Sequence, residues 1–407
     1  MVSPADLAPR RVTVLGSTGS IGASTLDILR HAAGDGGPVP QVVALTGNGN
    51  VAGLAAAARE FRAELAVTAD PARYAELKDA LAGSGVEAAA GPDAIVEAAA
   101  RPADWCMAAI VGAAGLAPTL AAAAQGGTVA LANKECLVSA GDLFLAEIAR
   151  AGATLLPVDS EHNAIFQVLD PAQRPALDRI ILTASGGPFR DWSADRMSRA
   201  TLREAVAHPN WDMGARISVD SASMFNKALE MIEARHLFGL APSQVEVLVH
   251  PQSVVHSMVG YADGSVLAQL GAPDMRHAIG YAWNWPERRA LPVERLDFAA
   301  LSRLDFHAPD ETRFPALRLA REAMEAGGLA GCALNAAKEA ALEAFMEARI
   351  GFLDMARVVE ATLARLAPFA PARDLGAVFA MDGAARAEAE AVIARDRARL
   401  GNGGVLA

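Results

Sequence analysis

The sequence predicts an α/β fold whose first part is a doubly wound parallel sheet. Short apolar runs alternate with helical patterns from Arg11 to about residue 150, which is typical of parallel strands joined by crossover helices. A glycine-rich turn follows the first apolar run, and nearly every pattern beyond residue 316 is helical. We therefore predict an N-terminal Rossmann-like sheet (residues 1–157), a central α+β domain (158–291), a linker (292–313) and a C-terminal helical bundle (314–407).

Composition limits the classes of function. The 407 residues allow two or three domains with an ample core. No apolar run of about 18 residues is free of charges and chain breakers, so no transmembrane helix is expected, and Met1–Arg10 lacks the apolar segment of a signal peptide. A net charge of -11 disfavours a nucleic-acid partner but allows a small phosphorylated ligand. Three widely spaced cysteines (Cys106, Cys136 and Cys332) favour a reducing cytoplasm.

The spacing of apolar residues predicts the individual elements. Strands of the first domain are expected at Arg11–Leu15, Gln41–Leu45, Leu65–Val67, Trp105–Ile110, Thr128–Leu131 and Thr154–Pro157, with helices that include Ser24–Ala32, Val51–Phe61 and Ala117–Gln125. Strands of the central domain are expected at Arg179–Thr183, Val245–Leu248 and Ser265–Leu270, among long polar loops. The last domain is predicted as four helices, Ala316–Ala326, Ala333–Ala348, Phe352–Ala367 and Gly383–Ala398.

The segment Gly16–Gly22 is a Gly-x-x-Gly-x-x-Gly variant of the dinucleotide-binding fingerprint. Its glycines would let the backbone approach a pyrophosphate, which free amides at the following helix N-terminus would receive. Such a turn also arises from packing needs alone. Its position after a clear strand, at the start of an alternating pattern, favours a nucleotide site.

The end of the second strand indicates which dinucleotide binds. Residues Ala44–Asn50 contain no Asp or Glu to bind the ribose hydroxyls of NAD, which favours NADP. The turn Gly47–Asn50 contains no Arg or Lys either. A 2′-phosphate would therefore depend on backbone amides, Asn side chains or Thr46.

Lys134 and Glu135 follow the strand Thr128–Leu131, at the edge where open α/β sheets bind ligands. Lys134 could hold an anionic or hydroxyl group, and Glu135 could receive a cofactor or orient that lysine. The alternative is a surface ion pair.

Asp159 and Glu161 follow the strand Thr154–Pro157. In extended backbone their side chains would lie on the same side, about 6–7 Å apart. Two carboxylates at that spacing could grip Mg²⁺ or Mn²⁺, with Glu230 as a third ligand. The alternative is an N-cap Asp with a capping Glu, because His162–Leu169 has a helical pattern.

The segment His208–Glu230 contains the densest group of polar side chains. Its Pro-Asn and Met-Gly steps predict a loop, and a helix is predicted from Ser221 onward. On that helix Asn226, Lys227 and Glu230 share a face, because residues three or four apart are neighbours. Such a face suits a phosphorylated ligand and a metal ion. The alternative is a solvated polar face, which the Asp159 and Glu161 pair disfavours.

Two other segments carry polar groups with less specific signals. Ser185–Phe189 ends a strand with exposed amides and a hydroxyl, which suits a phosphate or oxyanion cradle, although a plain turn fits equally well. His250 and His256 lack the spacing of a zinc site and are interpreted as structural.

Together and in this order, these segments resemble the 1-deoxy-D-xylulose 5-phosphate reductoisomerase family. The resemblance covers nearly the whole chain, at Gly16–Gly22, Leu131–Glu135, Asp159–His162, Ser185–Phe189, His208–Glu230, His250–Val259 and Leu334–Phe352. It implies an NADPH-binding domain, a connective catalytic domain with a metal site and a flap, and a C-terminal helical domain, in a homodimer. The implied reaction is rearrangement and reduction of the keto-sugar phosphate 1-deoxy-D-xylulose 5-phosphate to 2-C-methyl-D-erythritol 4-phosphate, in non-mevalonate isoprenoid biosynthesis. The implied cofactors are NADPH and a divalent metal, Mg²⁺, Mn²⁺ or Co²⁺.

The resemblance also implies roles for individual residues. The metal ligands would be Asp159, Glu161 and Glu230, which with Lys134 form the catalytic set. The substrate contacts would be Lys134, Ser160, Glu161, Ser185, His208, Trp211, Ser221, Asn226, Lys227 and Glu230. The NADPH contacts would be Thr18, Gly19, Ser20, Ile21, Asn48, Gly49, Asn50, Asn133, Glu135 and Gly214. Trp211 and Met213 would lie on the flap, which excludes water until hydride reaches the aldehyde.

Two positions depart from the family pattern. The family often has a basic residue in the turn formed here by Asn48 and Gly49, and it usually has Asn where this chain has Lys338. Two other functions remain as alternatives: a reductase of another polyol phosphate or keto acid, and a non-enzymatic NADP-binding sensor. The complete set of Asp159, Glu161 and Glu230 argues against both.

Overall fold

The computed structural model describes residues 9–34, 39–209, 211 and 214–401, without the side chains of residues 396–400. These residues form two compact units. The first unit comprises the described parts of Met1–Cys136, Phe144–Phe166 and Asp274–Arg295, and the second comprises those of Leu137–Leu143, Gln167–Pro273 and Leu296–Ala407. Within the described ranges, no helix has the length and apolar character needed to cross a membrane.

The strands and helices are numbered in chain order. The strands are β1 Arg10–Leu15, β2 Pro40–Gly47, β3 Leu65–Thr68, β4 Glu87–Ala90, β5 Trp105–Ala108, β6 Thr128–Leu131, β7 Thr154–Pro157, β8 Leu177–Ala184, β9 Val245–Val249, β10 Val255–Tyr261 and β11 Val266–Leu270. The helices up to the centre of the chain are α1 Ser20–Gly34, α2 Val51–Glu60, α3 Tyr74–Ala80, α4 Pro92–Ala100, α5 Leu116–Ala123, α6 Glu135–Ala151, α7 Ser160–Val168, α8 Ala194–Met197 and α9 Leu202–Ala205. The remaining helices are α10 Ala215–Ala222, α11 Phe225–Phe238, α12 Arg276–Asn284, α13 Phe298–Leu301, α14 Ala316–Ala326, α15 Ala330–Met346, α16 Asp354–Leu366 and α17 Leu375–Gly401.

The first unit is built on a seven-stranded sheet in the order β4-β3-β2-β1-β5-β6-β7. All of its neighbouring strands pair in parallel. The strand order reverses between β1 and β5, and such a switch point opens a crevice beyond the carboxyl ends of the strands. The turn after β1, which carries Gly16–Gly22, lies at this switch point, as the fingerprint predicts.

A late segment of the chain completes the core of the first unit. Helix α12 places Trp283 against Trp105 of β5, with ring centroids 5.4 Å apart in an edge-to-face arrangement. The Trp105 indole N–H donates to the carbonyl of Ala282 at 3.2 Å. Both tryptophans are essentially inaccessible to water, so this contact buries a large apolar area.

The second unit contains a four-stranded sheet in the order β11-β10-β8-β9. Strand β10 is antiparallel to β8 and β11, and β8 is parallel to β9. Helix α11 contacts β8 and β9, and α15 contacts α16 and α17 in the C-terminal helical region. The predicted fold class, a Rossmann-like parallel sheet followed by α+β and helical parts, is confirmed.

Several element predictions need correction. Strands β4 and β10 were not predicted: β4 is a short, alanine-rich edge strand, and β10 is buried along most of its length and so lacks polar alternation. A helix beginning at Ser221 is wrong, because Ser221 ends α10 and the left-handed residue Met224 separates α10 from α11. Residues Asp274–Arg295, predicted mainly within the central domain, lie in the first unit.

Candidate active site

The glycine turn after β1 has little room for side chains. Gly16 has a φ of +85°, and a Cβ there would lie 2.7 Å from the carbonyl oxygen of Ala109. The backbone of Gly16 donates to the Thr46 hydroxyl at 2.9 Å, and that of Ser17 donates to the Thr46 carbonyl at 2.7 Å. Thr46 is buried. Thr46, one of the groups that the sequence offered for a 2′-phosphate, therefore holds the turn in place.

Substitution of Gly22 tests whether this turn requires glycine. A Cβ on Gly22 would lie 2.3 Å from the Gly16 carbonyl oxygen, whereas a Cβ on Gly19 would lie 3.5 Å from the same atom. We expect Gly22→Ala to destabilise the protein by about 1–3 kcal/mol, because backbone must move to admit the methyl group. Gly19→Ala is the matched control and should retain wild-type stability. Urea unfolding of both variants measures this, and equal midpoints would refute the packing argument.

The turn after β2 is ordered by side-chain hydrogen bonds. Asn50 is the N-cap of α2, and its side-chain oxygen accepts from the Gly53 amide at 3.0 Å. Thr68 donates its hydroxyl to the Asn48 carbonyl at 2.8 Å. A Cβ on Gly49 would meet nothing within 4 Å. The predicted cofactor residues Asn48, Gly49 and Asn50 thus form a fixed, open turn at the carboxyl edge of the sheet.

Asn133 joins the ends of β5 and β6. Its Nδ2 donates to the carbonyl of Gly112 at 3.1 Å and contacts that of Ile110, and its Oδ1 accepts from the Cys136 amide at 2.9 Å. Asn133 and the first residue of α6, Glu135, are both buried. These two predicted cofactor residues therefore lie at the edge of the sheet where the sequence placed them.

The predicted catalytic residues Lys134 and Asp159 meet in the first unit. The Lys134 ammonium contacts Asp159 Oδ2, and the side chains are only 13% and 15% exposed. The neighbouring Ser160 donates to Glu161 Oε2 at 2.7 Å. Lys134 thus pairs with a largely buried carboxylate. The alternative that the sequence left open was a surface ion pair.

The extended backbone expected for Asp159–Glu161 is wrong. Helix α7 begins at Ser160, and Asp159 Oδ1 accepts from the Glu161 amide at 3.3 Å while its carbonyl accepts from the Asn163 amide at 2.8 Å. Asp159 therefore occupies the N-cap position that the sequence offered as the alternative. The cap involves one carboxylate oxygen, and the other faces Lys134. The cap geometry and a cation site are compatible.

In the second unit, Ser185 and His208 form a hydrogen-bonded pair with Trp211. The Trp211 amide donates to His208 Nδ1 at 3.0 Å, so the ring is protonated on Nε2 and donates to Ser185 Oγ at 2.9 Å. Ser185 Oγ also accepts from the Gly187 amide at 3.1 Å. The Ser185 hydroxyl hydrogen therefore points away from these two donors, and in that direction it could donate to a ligand.

His208 gives this pair a pH dependence. Burial lowers the pKa of His208 below its ordinary value of 6.5, so the folded protein binds this proton less readily than the unfolded chain. Its contribution to stability is present above the unfolded pKa and is lost as the pH falls through the folded pKa. We expect the melting temperature to fall less steeply from about pH 7 to 5 in His208→Asn, whose amide oxygen can still accept from Trp211. Identical slopes would contradict this.

Two glycines bring the Ser185 loop against the end of α10. Gly186 and Gly187 have φ values of +83° and +62°, and a Cβ on Gly187 would lie 2.9 Å from Ala222 Cα and 3.0 Å from the Ser221 carbonyl oxygen. Only glycine tolerates both the conformation and the close approach. The loop therefore adjoins the predicted substrate residue Ser221, which favours a built site over a plain turn.

Helix α11 presents Asn226, Lys227 and Glu230 together, as the spacing predicted. Asn226 Nδ2 donates to Glu230 Oε1 at 2.6 Å, and the Lys227 ammonium contacts Glu230 Oε2. Lys227 and Glu230 are 3% and 0% exposed. This burial excludes the solvated polar face that the sequence left as an alternative. Burying such a charged pair costs several kcal/mol of desolvation, and the attraction between the two charges returns about the same amount.

The remaining predicted residues have simpler surroundings. The His250 ring bonds the Asp305 carbonyl through Nδ1 at 2.9 Å and stacks on Phe306, in agreement with a structural role, and His256 lies beside Trp211 with ring centroids 6.4 Å apart. Gly214 is the exposed N-cap of α10. Thr18 lies in the turn before α1, and Ser20 and Ile21 are the first two residues of α1. Met213 lies outside the described residues.

The donor sets fit the groups that the sequence implies. In the first unit, two carboxylates and a serine hydroxyl offer the oxygen ligands that Mg²⁺ prefers, and a lysine ammonium already balances Asp159. In the second unit, a buried Glu230 is balanced by a second ammonium. At the turn after β1, the N-terminus of α1 suits a pyrophosphate.

Two side-chain contacts near the predicted residues were not predicted from the sequence. His162, buried in α7, places Nδ1 3.8 Å from Asp159 Oδ1, and the i,i+3 spacing from Asp159 was the available signal. The Lys338 ammonium pairs with Asp220 at 3.0 Å across 118 residues of sequence, for which no local signal exists.

Comparison with known proteins places the chain in a family. A model described as 1-deoxy-D-xylulose 5-phosphate reductoisomerase matches residues 12–141, and two models of its C-terminal domains match residues 155–238 and 270–388. The curated 1-deoxy-D-xylulose 5-phosphate reductoisomerase of Sinorhizobium medicae is 66% identical over 95% of this chain and 99% of its own length. That of Rhodospirillum centenum is 63% identical over 95% of both.

Solved structures agree. The reductoisomerase from Zymomonas mobilis in complex with NADPH is 55% identical, with a TM-score of 0.89 over 95% of this chain and 99% of that one. A DOX-P reductoisomerase in complex with NADPH, fosmidomycin and magnesium is 43% identical, with a TM-score of 0.89 over 97% of this chain and 100% of that one. With family models, curated relatives and solved structures in agreement along nearly the whole chain, the protein belongs to the 1-deoxy-D-xylulose 5-phosphate reductoisomerase family.

Proposed function

We propose that Asp159, Glu161 and Glu230 hold the metal for the reaction of this family, the NADPH- and divalent-metal-dependent conversion of 1-deoxy-D-xylulose 5-phosphate to 2-C-methyl-D-erythritol 4-phosphate. The observation that carries the assignment is that Asp159 and Glu230 are each held against a lysine ammonium in a largely buried setting. A carboxylate that faces a positive charge in such a setting also suits a divalent cation. When bound, the metal supplies Lewis-acid polarisation of the substrate carbonyl.

The two lysines are assigned to stabilise negative charge on the substrate and to transfer protons. Lys134 and Lys227 each contact a proposed metal ligand, so a bound cation would release their ammonium groups toward substrate oxygens. An ammonium beside a developing alkoxide lowers the energy of that charge, and it can also move a proton. Ser160, which is hydrogen-bonded to Glu161, would orient a substrate hydroxyl.

The phosphate of the substrate is assigned to the second unit. Ser185, His208, Ser221, Asn226 and Lys227 provide hydroxyl, imidazole, amide and ammonium donors, which are the groups that bind phosphate oxygens. The support lies in the Ser185 loop, whose hydroxyl accepts from both His208 and Gly187 and so directs its own hydrogen outward. Trp211, whose backbone fixes the His208 tautomer, is proposed to belong to the flap that excludes water.

NADPH is assigned to the carboxyl edge of the parallel sheet. Amides around Thr18, Gly19, Ser20 and Ile21 would receive the pyrophosphate. The turn of Asn48, Gly49 and Asn50 would receive the adenosine end, and Asn133, Glu135 and Gly214 would contact the nicotinamide end. The division into an NADPH-binding domain (1–157), a connective catalytic domain (158–291), a linker (292–313) and a C-terminal helical domain (314–407) is kept as a proposal, except that Asp274–Arg295 is counted with the first unit.

Purified protein tests the function directly. We expect NADPH oxidation on addition of 1-deoxy-D-xylulose 5-phosphate only when Mg²⁺, Mn²⁺ or Co²⁺ is present, and faster turnover with NADPH than with NADH. Formation of 2-C-methyl-D-erythritol 4-phosphate is followed by mass spectrometry. Turnover of another polyol phosphate or keto acid in preference to this substrate would overturn the assignment.

A homodimer is proposed from the exposed edge of the second sheet. Strand β11 is an edge strand, and its residues Val266 and Leu267 are 47% and 48% exposed. Edge strands with exposed apolar side chains are usually covered by a partner. We expect Leu267→Asp to shift the protein toward monomer in analytical ultracentrifugation, whereas Phe379→Asp, at an exposed position of α17, should leave the mass unchanged. Equal masses for wild type and Leu267→Asp would refute this surface.

The cytoplasm is proposed as the site of action. Cys106, Cys136 and Cys332 are all buried. Burial raises the pKa of the Cys106 thiol to about 12, so that thiol stays protonated and unreactive. These features suit a reducing compartment.

A further inference from the structure

A buried ion pair connects the C-terminal helical region to the helix that ends in Ser221. The Lys338 ammonium on α15 donates to Asp220 Oδ2 on α10 at 3.0 Å, and the side chains are 5% and 10% exposed. Asp220 immediately precedes Ser221, a proposed phosphate contact. The Ser223 hydroxyl donates to the carbonyls of Val219 and Asp220, at 2.9 and 3.2 Å, which fixes the same turn.

This turn sets the relation between two groups of proposed substrate contacts. Helix α10 ends with Ser221 and Ala222, the left-handed residue Met224 breaks the helix, and α11 then presents Asn226 and Lys227. The backbone of Gly187, in the Ser185 loop, packs against the end of α10. A rotation of the last turn of α10 would therefore move Ser221 relative to both the Ser185 loop and α11.

The energetics of the pair point to positioning. Burying two charges costs about as much as their attraction returns, so an apolar pair of similar size would give equal or greater stability. Lys338 also has Glu339 beside it: although burial raises the pKa of Glu339, the charges of Lys338 and Arg386 together hold it below its ordinary value. The Lys338 ammonium thus lies between the carboxylates of Glu339 and Asp220, and its bond to Asp220 is directional.

We propose that Lys338 is a positioning residue that, through Asp220, orients Ser221 for the substrate phosphate. The inference rests on the proposed role of Ser221. It assigns a function in substrate binding to Lys338 of the helical C-terminal region, 118 residues away in sequence from Asp220. A displacement of a few tenths of an ångström at a phosphate donor weakens binding of the substrate and leaves cofactor binding unaffected.

Two variants separate positioning from stability. Lys338→Met leaves Asp220 without its ammonium and should lower the melting temperature. In the double variant Asp220→Asn with Lys338→Met the carboxylate that faced Lys338 is removed as well, and Arg386 still pairs with Glu339, so part of the melting temperature should be recovered. In both, we expect the KM for 1-deoxy-D-xylulose 5-phosphate to rise roughly tenfold, with the KM for NADPH within about twofold of wild type. Should Lys338→Met fail to fold, the double variant carries the same test.

Control variants distinguish failure of the positioning role of Lys338 from failure of the proposed phosphate role of Ser221. Glu343→Gln removes the exposed ion pair of Glu343 with Arg216, which joins the same two helices, and should leave both KM values unchanged. Ser221→Ala should raise the KM for the sugar phosphate. A stable double variant with wild-type KM, or equal rises for substrate and NADPH, would overturn the positioning role alone. A wild-type KM in Ser221→Ala would overturn the phosphate role of Ser221 and the inference with it.

Discussion

Glu230→Gln is expected to lower kcat/KM for 1-deoxy-D-xylulose 5-phosphate by about a thousandfold. Glutamine keeps the shape of the side chain and can still accept from Asn226, but it brings no negative charge to the metal. The residue is fully buried, so water cannot replace the missing ligand. Turnover is measured as NADPH oxidation during an Mg²⁺ titration, and Mn²⁺ binding to the resting protein is measured separately by electron paramagnetic resonance.

The companion variant Glu230→Asp keeps the charge and shortens the side chain. We expect it to recover part of the activity at high metal concentration, which a purely structural residue would not do. The melting temperature of Glu230→Gln should also fall, because the substitution removes the carboxylate that the buried Lys227 ammonium contacts. Near-wild-type turnover of Glu230→Gln at ordinary Mg²⁺ concentration would refute its role as a metal ligand.

Asp159→Asn is expected to lower kcat/KM by roughly a hundredfold or more, and to lower stability only through the loss of the charge beside the largely buried Lys134 ammonium. Asparagine caps a helix as well as aspartate does, so the bond to the Glu161 amide survives. The charge that faces Lys134 and the proposed metal is lost. Activity and urea unfolding, measured on the same preparation, separate the two roles of this carboxylate.

Asp159→Ser is the matched control for the cap. Serine also caps a helix but cannot supply a metal-binding carboxylate, so it should resemble Asp159→Asn in both measurements. If both variants keep full activity, Asp159 serves only as the N-cap of α7. If one variant is much less stable than the other, the cap argument itself is wrong, because both residues cap a helix and both lack the charge beside Lys134.

Local features of the site could be predicted because they depend on neighbours in sequence. The strand, glycine turn and helix around Gly16–Gly22 follow from residue type alone. The common face of Asn226, Lys227 and Glu230 follows from helical spacing once a helix is assumed, and the structure confirms it.

Features that depend on backbone geometry at element ends were harder to predict. The same residues, Asp159 to Glu161, satisfy both an extended strand end and a helix N-cap, and only the start of α7 at Ser160 decides between them. Helix α10 ends where a helix start was predicted, because Met224 adopts a left-handed conformation that its sequence does not require.

Long-range partners could not be predicted at all from one sequence. The pairing of Lys338 with Asp220 joins positions that share no pattern, and so does the packing of Trp283 on Trp105. Strand β10 was missed for a related reason. Its burial on both faces comes from its central position between β8 and β11, which only the assembled sheet supplies.

The packing of α12 on the first sheet has a consequence for synthesis of the chain. The first unit needs residues Asp274–Arg295, so the ribosome must add nearly three quarters of the polypeptide before that unit has all its parts. Until then the pocket that Trp283 fills beside Trp105 stays open to water. Residues Gln167–Pro273 of the second unit emerge during this interval. The nascent first unit therefore remains incomplete while these residues of the second unit are being translated.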